Sequence, residues 1–125
     1  MKVAVIGASA DRAKFGNKAV RAFRQAGHEV APVNPRCAGA AACIEGLPAY
    51  ASVVDVPGRV DVATLYVHPA VGEQVLEDIA AKGIPELWVN PGAESESLLR
   101  RAEALGLDTR LQCSILAIDE SPAHY

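Results

Sequence analysis

The chain has 125 residues, half of them hydrophobic, and 12 Lys and Arg against 15 Asp and Glu give a formal charge of -3. That length suffices for one domain with one core and not for two, and a pI near 5.6 lacks the basic excess of a nucleic-acid binder. No apolar run approaches the roughly 20 residues of a membrane span, and the N-terminus opens on a strand rather than a signal segment, so a cytoplasmic protein with no membrane partner is expected.

Apolar runs alternate with helical patterns throughout, the signature of a Rossmann-like α/β fold: one domain over 1–125, a doubly wound parallel sheet with helices on both faces. Residues 3–6 read as the first strand, ending in Gly7 and a turn of small residues, Ala8 and Ser9. A helix is expected over 17–26, with Ala19, Val20 and Phe23 inward and Lys18, Arg21 and Arg24 outward. Gly27 ends it, and a second strand over 29–33 closes at Asn34, Pro35 and Arg36, because proline cannot continue a ladder.

Between Cys37 and Pro57, glycines and prolines punctuate short apolar groups, which suggests a small edge strand and one helical turn. Residues 61–67 then read as a buried strand. His68 and Pro69 follow, Pro69 suiting a first helical turn where its missing N–H costs nothing. The next helix is expected over 70–82 with Val71, Val75, Leu76 and Ile79 inward. A strand over 86–89, the turn Asn90, Pro91 and Gly92, a helix over 95–105 starting at Ser95, and a last strand over 109–112 complete the pattern. The remaining tail has no assigned role.

The loop after the first strand has the layout of a phosphate-binding strand-loop-helix, without the spacing of an ordinary dinucleotide site. Ser9 stands where Gly-x-Gly-x-x-Gly needs its second glycine, and no Gly-Lys-Ser/Thr follows at the P-loop offset. Ser9 offers a hydroxyl, Lys14 and Lys18 offer charge, and Gly16 lets the chain enter the helix closely, so an anion is the expected ligand. In a parallel sheet the loops after each strand gather on one edge. That edge collects Gly7, Ala8 and Ser9, then Asn34, Pro35 and Arg36, then Val67, His68 and Pro69, and finally Asn90, Pro91 and Gly92. An NAD site would place a carboxylate about 20 residues past the glycine loop. Arg36 near that position instead attracts a phosphate on the ribose, which favours NADP or coenzyme A.

Taken in order, the glycine-serine loop, Phe15-Gly16-Asn17-Lys18, Pro32-Val33-Asn34-Pro35-Arg36, Gly46-Leu47-Pro48-Ala49-Tyr50, Val60-Asp61 and Pro91-Gly92-Ala93-Glu94-Ser95 resemble the small stand-alone CoA-binding domain proteins. The resemblance spans nearly the whole chain and extends to the N-terminal domain of the succinyl-CoA synthetase α subunit. It implies coenzyme A or an acyl-CoA as ligand. Gly7, Ala8 and Ser9 would cradle the phosphates, with Lys14, Asn17 and Lys18 close by. Asn34, Pro35 and Arg36 would flank the ribose and its 3′-phosphate, Val67, His68 and Pro69 would line the adenine side, and Asn90, Pro91 and Gly92 would close the site. One departure stands out: Gln112 precedes Cys113 where family members often carry arginine.

The three cysteines, Cys37, Cys43 and Cys113, show no Cys-x-x-Cys pairing, so reduced thiols are expected and neither a disulfide framework nor a metal site. A catalytic reading needs a nucleophile with a base in reach, paired carboxylates or a metal cluster. None is legible, so a binding module without catalysis is expected, acting alone, as a homo-oligomer or beside a partner enzyme. The alternative is an NADP-dependent oxidoreductase or redox-sensing nucleotide-binding protein.

Overall fold

The computed structural model describes residues 1–38 and 44–125; Cys43 lies outside them. Five short strands, β1 (Lys2–Ile6), β2 (Glu29–Val33), β3 (Val62–Leu65), β4 (Glu86–Val89) and β5 (Asp108–Leu111), form one parallel sheet in the order β2-β1-β3-β4-β5. The four inner and second-edge strands are short Val-, Ala- and Leu-rich runs buried on both faces, as parallel strands under helices on both sides must be. Edge strand β5 instead carries Asp108 and Arg110 and is largely exposed. Charge on an open edge disfavours pairing with another chain.

Helices α1 (Phe15–Gln25) and α4 (Ser114–Ala117) cover one face, and α2 (Pro69–Lys82) and α3 (Glu96–Ala104) the other. Alternation along the strands builds two cores. Val3, Val5, Val62 and Trp88 meet Val20 and Phe23 on one side, while Ala4, Ile6, Leu65 and Leu87 meet Leu76, Ile79 and Leu98 on the other. Ser95 caps α3 as its spacing predicts, its Oγ accepting the Leu98 N–H at 3.0 Å.

Several expectations are corrected. The strand expected over 61–67 is ladder only over Val62–Leu65, and Tyr66 and Val67 leave toward the carboxyl edge. Helix α1 begins two residues early, at Phe15. Val71 is 45% exposed rather than inward, because the buried stripe of α2 runs through Gly72, Leu76 and Ile79. Among the described residues between β2 and β3, the expected edge strand reduces to isolated bridges, Val33 with Tyr50 and Ile44 with Leu47. The expected helical turn is there, a 3-10 turn over Val53–Asp55, and Val53, Val56 and Val60 cover the sheet where a crossover helix would lie. Pro32 fits within β2 because its carbonyl accepts the Tyr50 N–H at 3.0 Å on the outer side, so its missing donor falls at the sheet edge. The tail has a place too: α4 and a 3-10 turn over Pro122–His124 pack on α1.

Asp61 closes the start of the sheet. Its carboxylate accepts the Lys2 N–H at 2.8 Å, and Arg59 lies 3.3 Å away. The backbone hydrogen bond, ahead of the Arg59 charge, holds its acid below the usual carboxylate value. A lowered folded pKa contributes stability that is present above the unfolded value and lost as pH falls through the folded one. Asp61→Asn is therefore expected to flatten the acid side of the stability profile, where pH falls through and below the ordinary carboxylate range. Urea midpoints measured across that window check it, and an unchanged slope contradicts the assignment.

Candidate ligand-binding site

The strand order reverses direction between β1 and β3, and in open α/β sheets ligands bind at that switch, outside the carboxyl ends of the strands. A cleft of about 580 Å³ lies there. Gly7 after β1, Lys14, Phe15 and Gly16 at the start of α1, the segment from Leu65 to His68 after β3, the segment from Asn90 to Ala93 after β4, and Cys113 after β5 line it. No carboxylate is among these lining residues. Lys14 supplies positive charge.

Two glycines bring the walls together. Gly7 has φ +91°, and a Cβ there would lie 2.4 Å from the Tyr66 carbonyl oxygen. At Gly16 a Cβ would lie 2.2 Å from the Gly7 carbonyl oxygen. The start of α1 thus presses onto the end of β1, which sits against the segment leaving β3. No side chain caps α1 at Lys14, and its first turn holds no acid. The first N–H groups of a helix have no intrahelical acceptor and carry the positive end of its dipole, a ready anion site.

Three asparagines at this edge turn their amides toward protein. Asn17, fully buried, donates to the Ser9 carbonyl at 2.8 Å and to the Glu45 carboxylate at 3.1 Å. Asn34 donates to the Ala8 carbonyl at 2.8 Å and accepts the Arg36 N–H at 2.9 Å. Asn90, also buried, donates to Thr64 Oγ1 at 2.7 Å and the Leu65 carbonyl at 2.8 Å, and accepts the Ser114 N–H at 2.8 Å. Asn17 and Asn34 pin the backbone of the first loop at the adjacent Ser9 and Ala8 carbonyls. Asn90 ties the β4 loop to β3 and α4.

The remaining expected residues distribute unevenly. Ser9 Oγ accepts the Asp11 N–H at 3.0 Å, shaping the loop. Lys18 lies beside the exposed Phe15 ring, 5.2 Å from its centroid. His68 caps α2, Nδ1 accepting the Ala70 N–H at 3.2 Å, with Pro69 opening the helix. Gly7, Lys14, Val67, His68, Asn90, Pro91 and Gly92 meet in the cleft, whereas Ala8, Ser9, Asn17, Lys18, Pro69 and the stretch Asn34, Pro35 and Arg36 are not among its lining residues. Arg36 is exposed on the β2 side of the same edge.

Gly16 and Cys113, with Phe15, Leu65, Tyr66 and Ala93, complete the lining; of the last four, Phe15 and Ala93 stand in the sequence motifs quoted above, and none was expected as a ligand-binding residue. An exposed aromatic at a helix start was the available signal for Phe15. Tyr66 continues the alternation of β3, so its ring points to the α1 side, where burial pushes its phenol well above the ordinary value and keeps it protonated. Cys113 is a free, half-buried thiol at the start of α4, as is Cys37 in its own loop. Among the described residues no group of His, Cys, Asp and Glu could hold a metal ion, and no helix is long and apolar enough to cross a membrane.

Sheet order and the cleft at the switch point place the chain in the Rossmann-like α/β class. A family model described as CoA binding domain matches residues 1–118, and the chain belongs to that family. It is 36% identical over 83 residues to the α subunit of an ADP-forming acetate–CoA ligase II of Pyrococcus furiosus, covering 66% of this chain and 17% of the relative. It is 33% identical over 82 residues to an ADP-forming acetate–CoA ligase of Methanocaldococcus jannaschii, 66% of this chain and 11% of the relative. The chain thus spans less than a fifth of the curated relatives it matches. Among solved structures, a conserved hypothetical protein of Pyrococcus furiosus superposes with TM-score 0.82 at 39% identity, covering 93% of this chain and 97% of that one. A dinucleotide-forming acetyl-coenzyme A synthetase of Ca. Korarchaeum cryptofilum, in complex with phosphate and ADP, gives TM-score 0.74 at 32% identity, covering 89% of this chain and 25% of that one.

Proposed function

We propose that this chain binds coenzyme A or an acyl-CoA across the carboxyl edge of its sheet and performs no catalysis of its own. The observation that carries the reading is the CoA binding domain match over residues 1–118, on a chain whose switch-point cleft has a lysine and no carboxylate among its lining residues. The backbone of Gly7, Ala8 and Ser9 and the open first turn of α1 hold the phosphates, with Lys14 and Lys18 supplying charge. Asn17 and Asn34 hold that loop in shape. Pro35 and Arg36 flank the ribose and its 3′-phosphate, Val67, His68 and Pro69 line the adenine side, and Asn90, Pro91 and Gly92 close the cleft. His68 spends a ring nitrogen on its helix cap, which suits packing against a ligand rather than proton transfer.

Calorimetry with CoA, acetyl-CoA and NADP tests the reading. Heat with either CoA species at micromolar to millimolar concentration is expected; its absence with both defeats the proposal, and a response to NADP alone turns the site into the dinucleotide alternative. Arg36 discriminates further. Arg36→Ala is expected to weaken CoA by about 1.5–3 kcal/mol, the size of a lost charge-assisted contact, and to leave dephospho-CoA nearly unchanged. Equal losses for the two ligands refute its assignment to the 3′-phosphate.

A further inference from the structure

We infer that Arg21 is the positioning residue of the phosphate loop and couples that loop to the C-terminal turn. Arg21 lies one helical turn after Asn17 and does not line the cleft. Its Nε donates to Asn17 Oδ1 at 2.7 Å. That bond on Oδ1 and the two acceptors of the NH₂, the Ser9 carbonyl and the Glu45 carboxylate, together fix which way the Asn17 amide faces. Arg21 Nη2 donates to the Arg12 carbonyl at 2.9 Å, further along the same loop, and to the backbone oxygen of Tyr125 at 3.0 Å. One planar guanidinium therefore holds the loop at two points, Ser9 through Asn17 and Arg12 directly.

Its third partner belongs to a different element. The Tyr125 ring stands 5.7 Å from the Arg21 guanidinium, and its hydroxyl donates to Glu120 Oε1 at 2.8 Å. The 3-10 turn before it packs on α1. Docking of this turn and ordering of the loop share one side chain, so whatever stabilises one stabilises the other, and the coupling is reciprocal. A lysine cannot replace this arrangement, since its ammonium lacks the fixed fork that serves three acceptors in different directions.

The inference rests on the proposed function in one respect, that residues 7–16 hold the ligand's phosphates. Its test separates the two. Hydrogen exchange of the ligand-free protein is compared for wild type, Arg21→Ala, Arg21→Lys and Tyr125→Ala, followed by calorimetry with CoA and dephospho-CoA. Arg21→Ala is expected to speed exchange at residues 9–14 about tenfold or more while β4 amides keep their protection, and to weaken both ligands by a similar factor of about ten. Arg21→Lys is expected to behave like Arg21→Ala, and Tyr125→Ala to speed the same loop by about threefold. Unchanged loop exchange in Arg21→Ala, acceleration spread equally into β4, or full rescue by lysine overturns the positioning role. Acceleration confined to residues 121–125 in Tyr125→Ala overturns the coupling. Should Arg21→Ala not fold, the lysine and Tyr125 variants carry the test. A wild-type protein that fails to bind CoA defeats the proposed ligand and leaves the exchange comparison intact.

Discussion

Gly16→Ala is expected to destabilise the chain by about 3 kcal/mol and to abolish measurable CoA binding. The added Cβ would sit 2.2 Å from the Gly7 carbonyl oxygen, 3.1 Å from its carbonyl carbon and 3.3 Å from Ala8 Cα. All three are backbone atoms, so no side-chain rotation relieves the clash. The start of α1 must instead move away from the end of β1, which pulls apart the loop proposed to cradle the phosphates. Gly46→Ala is a useful contrast. Gly46 has φ +77° with nothing within 4 Å of an added Cβ, so that variant carries the left-handed backbone cost alone, about 1 kcal/mol. Urea denaturation of both variants, with CoA calorimetry on whatever stays folded, checks the difference. A Gly16→Ala protein as stable as Gly46→Ala contradicts the close approach.

Asn90→Ala is expected to cost a similar amount by a different route. The substitution removes one acceptor and two donated hydrogen bonds from a residue only 3% exposed. The buried Ser114 N–H and Leu65 carbonyl lose their Asn90 partner, and leaving a buried polar group unsatisfied costs about 1–3 kcal/mol. A total of about 3 kcal/mol lowers the Tm by about 10 °C or more in a domain of this size. Melting followed by circular dichroism measures it. Loss should concentrate where β3, β4 and α4 join, so proteolytic nicking near Cys113 ought to rise while α1 stays protected. A Tm within a few degrees of wild type removes Asn90 from its place as the tie between these elements.

The asparagines also show where reading the sequence stops. A polar residue just after a strand of a parallel sheet is at the ligand edge, and Asn34 and Asn90 are legible there for that reason. Whether the amide faces ligand or backbone depends on which neighbouring carbonyl lies opposite, and that is set by strand order. The order β2-β1-β3-β4-β5 has no counterpart in hydrophobic period. The same limit hid the meeting of Tyr66, Phe15 and Cys113 in one cleft, since their loops are distant along the chain. Strands β2 and β4 were legible at their observed bounds because apolar runs there end at glycine, proline or asparagine. The rest of the segment after Pro35 was not, because its prolines and glycines break every period, and the sheet face it covers is filled by Val53, Val56 and Val60 in and beside a 3-10 turn. Val71 misled because helical spacing alone gives a broad stripe, narrowed here by the approach of Leu98 to Gly72.

The cleft straddles a seam. One wall follows β1 and the other follows β3, strands that are neighbours in the sheet but lie on either side of β2 and its long return in the chain. Neither wall alone is a site, so a ligand lying across the seam recognises only chains whose long-range pairing is complete. Such a ligand stabilises the folded state by mass action, about 2.7 kcal/mol at a hundred times its Kd. The amount of this protein that survives proteolysis would then follow the supply of its ligand, making the chain's lifetime a readout of that supply.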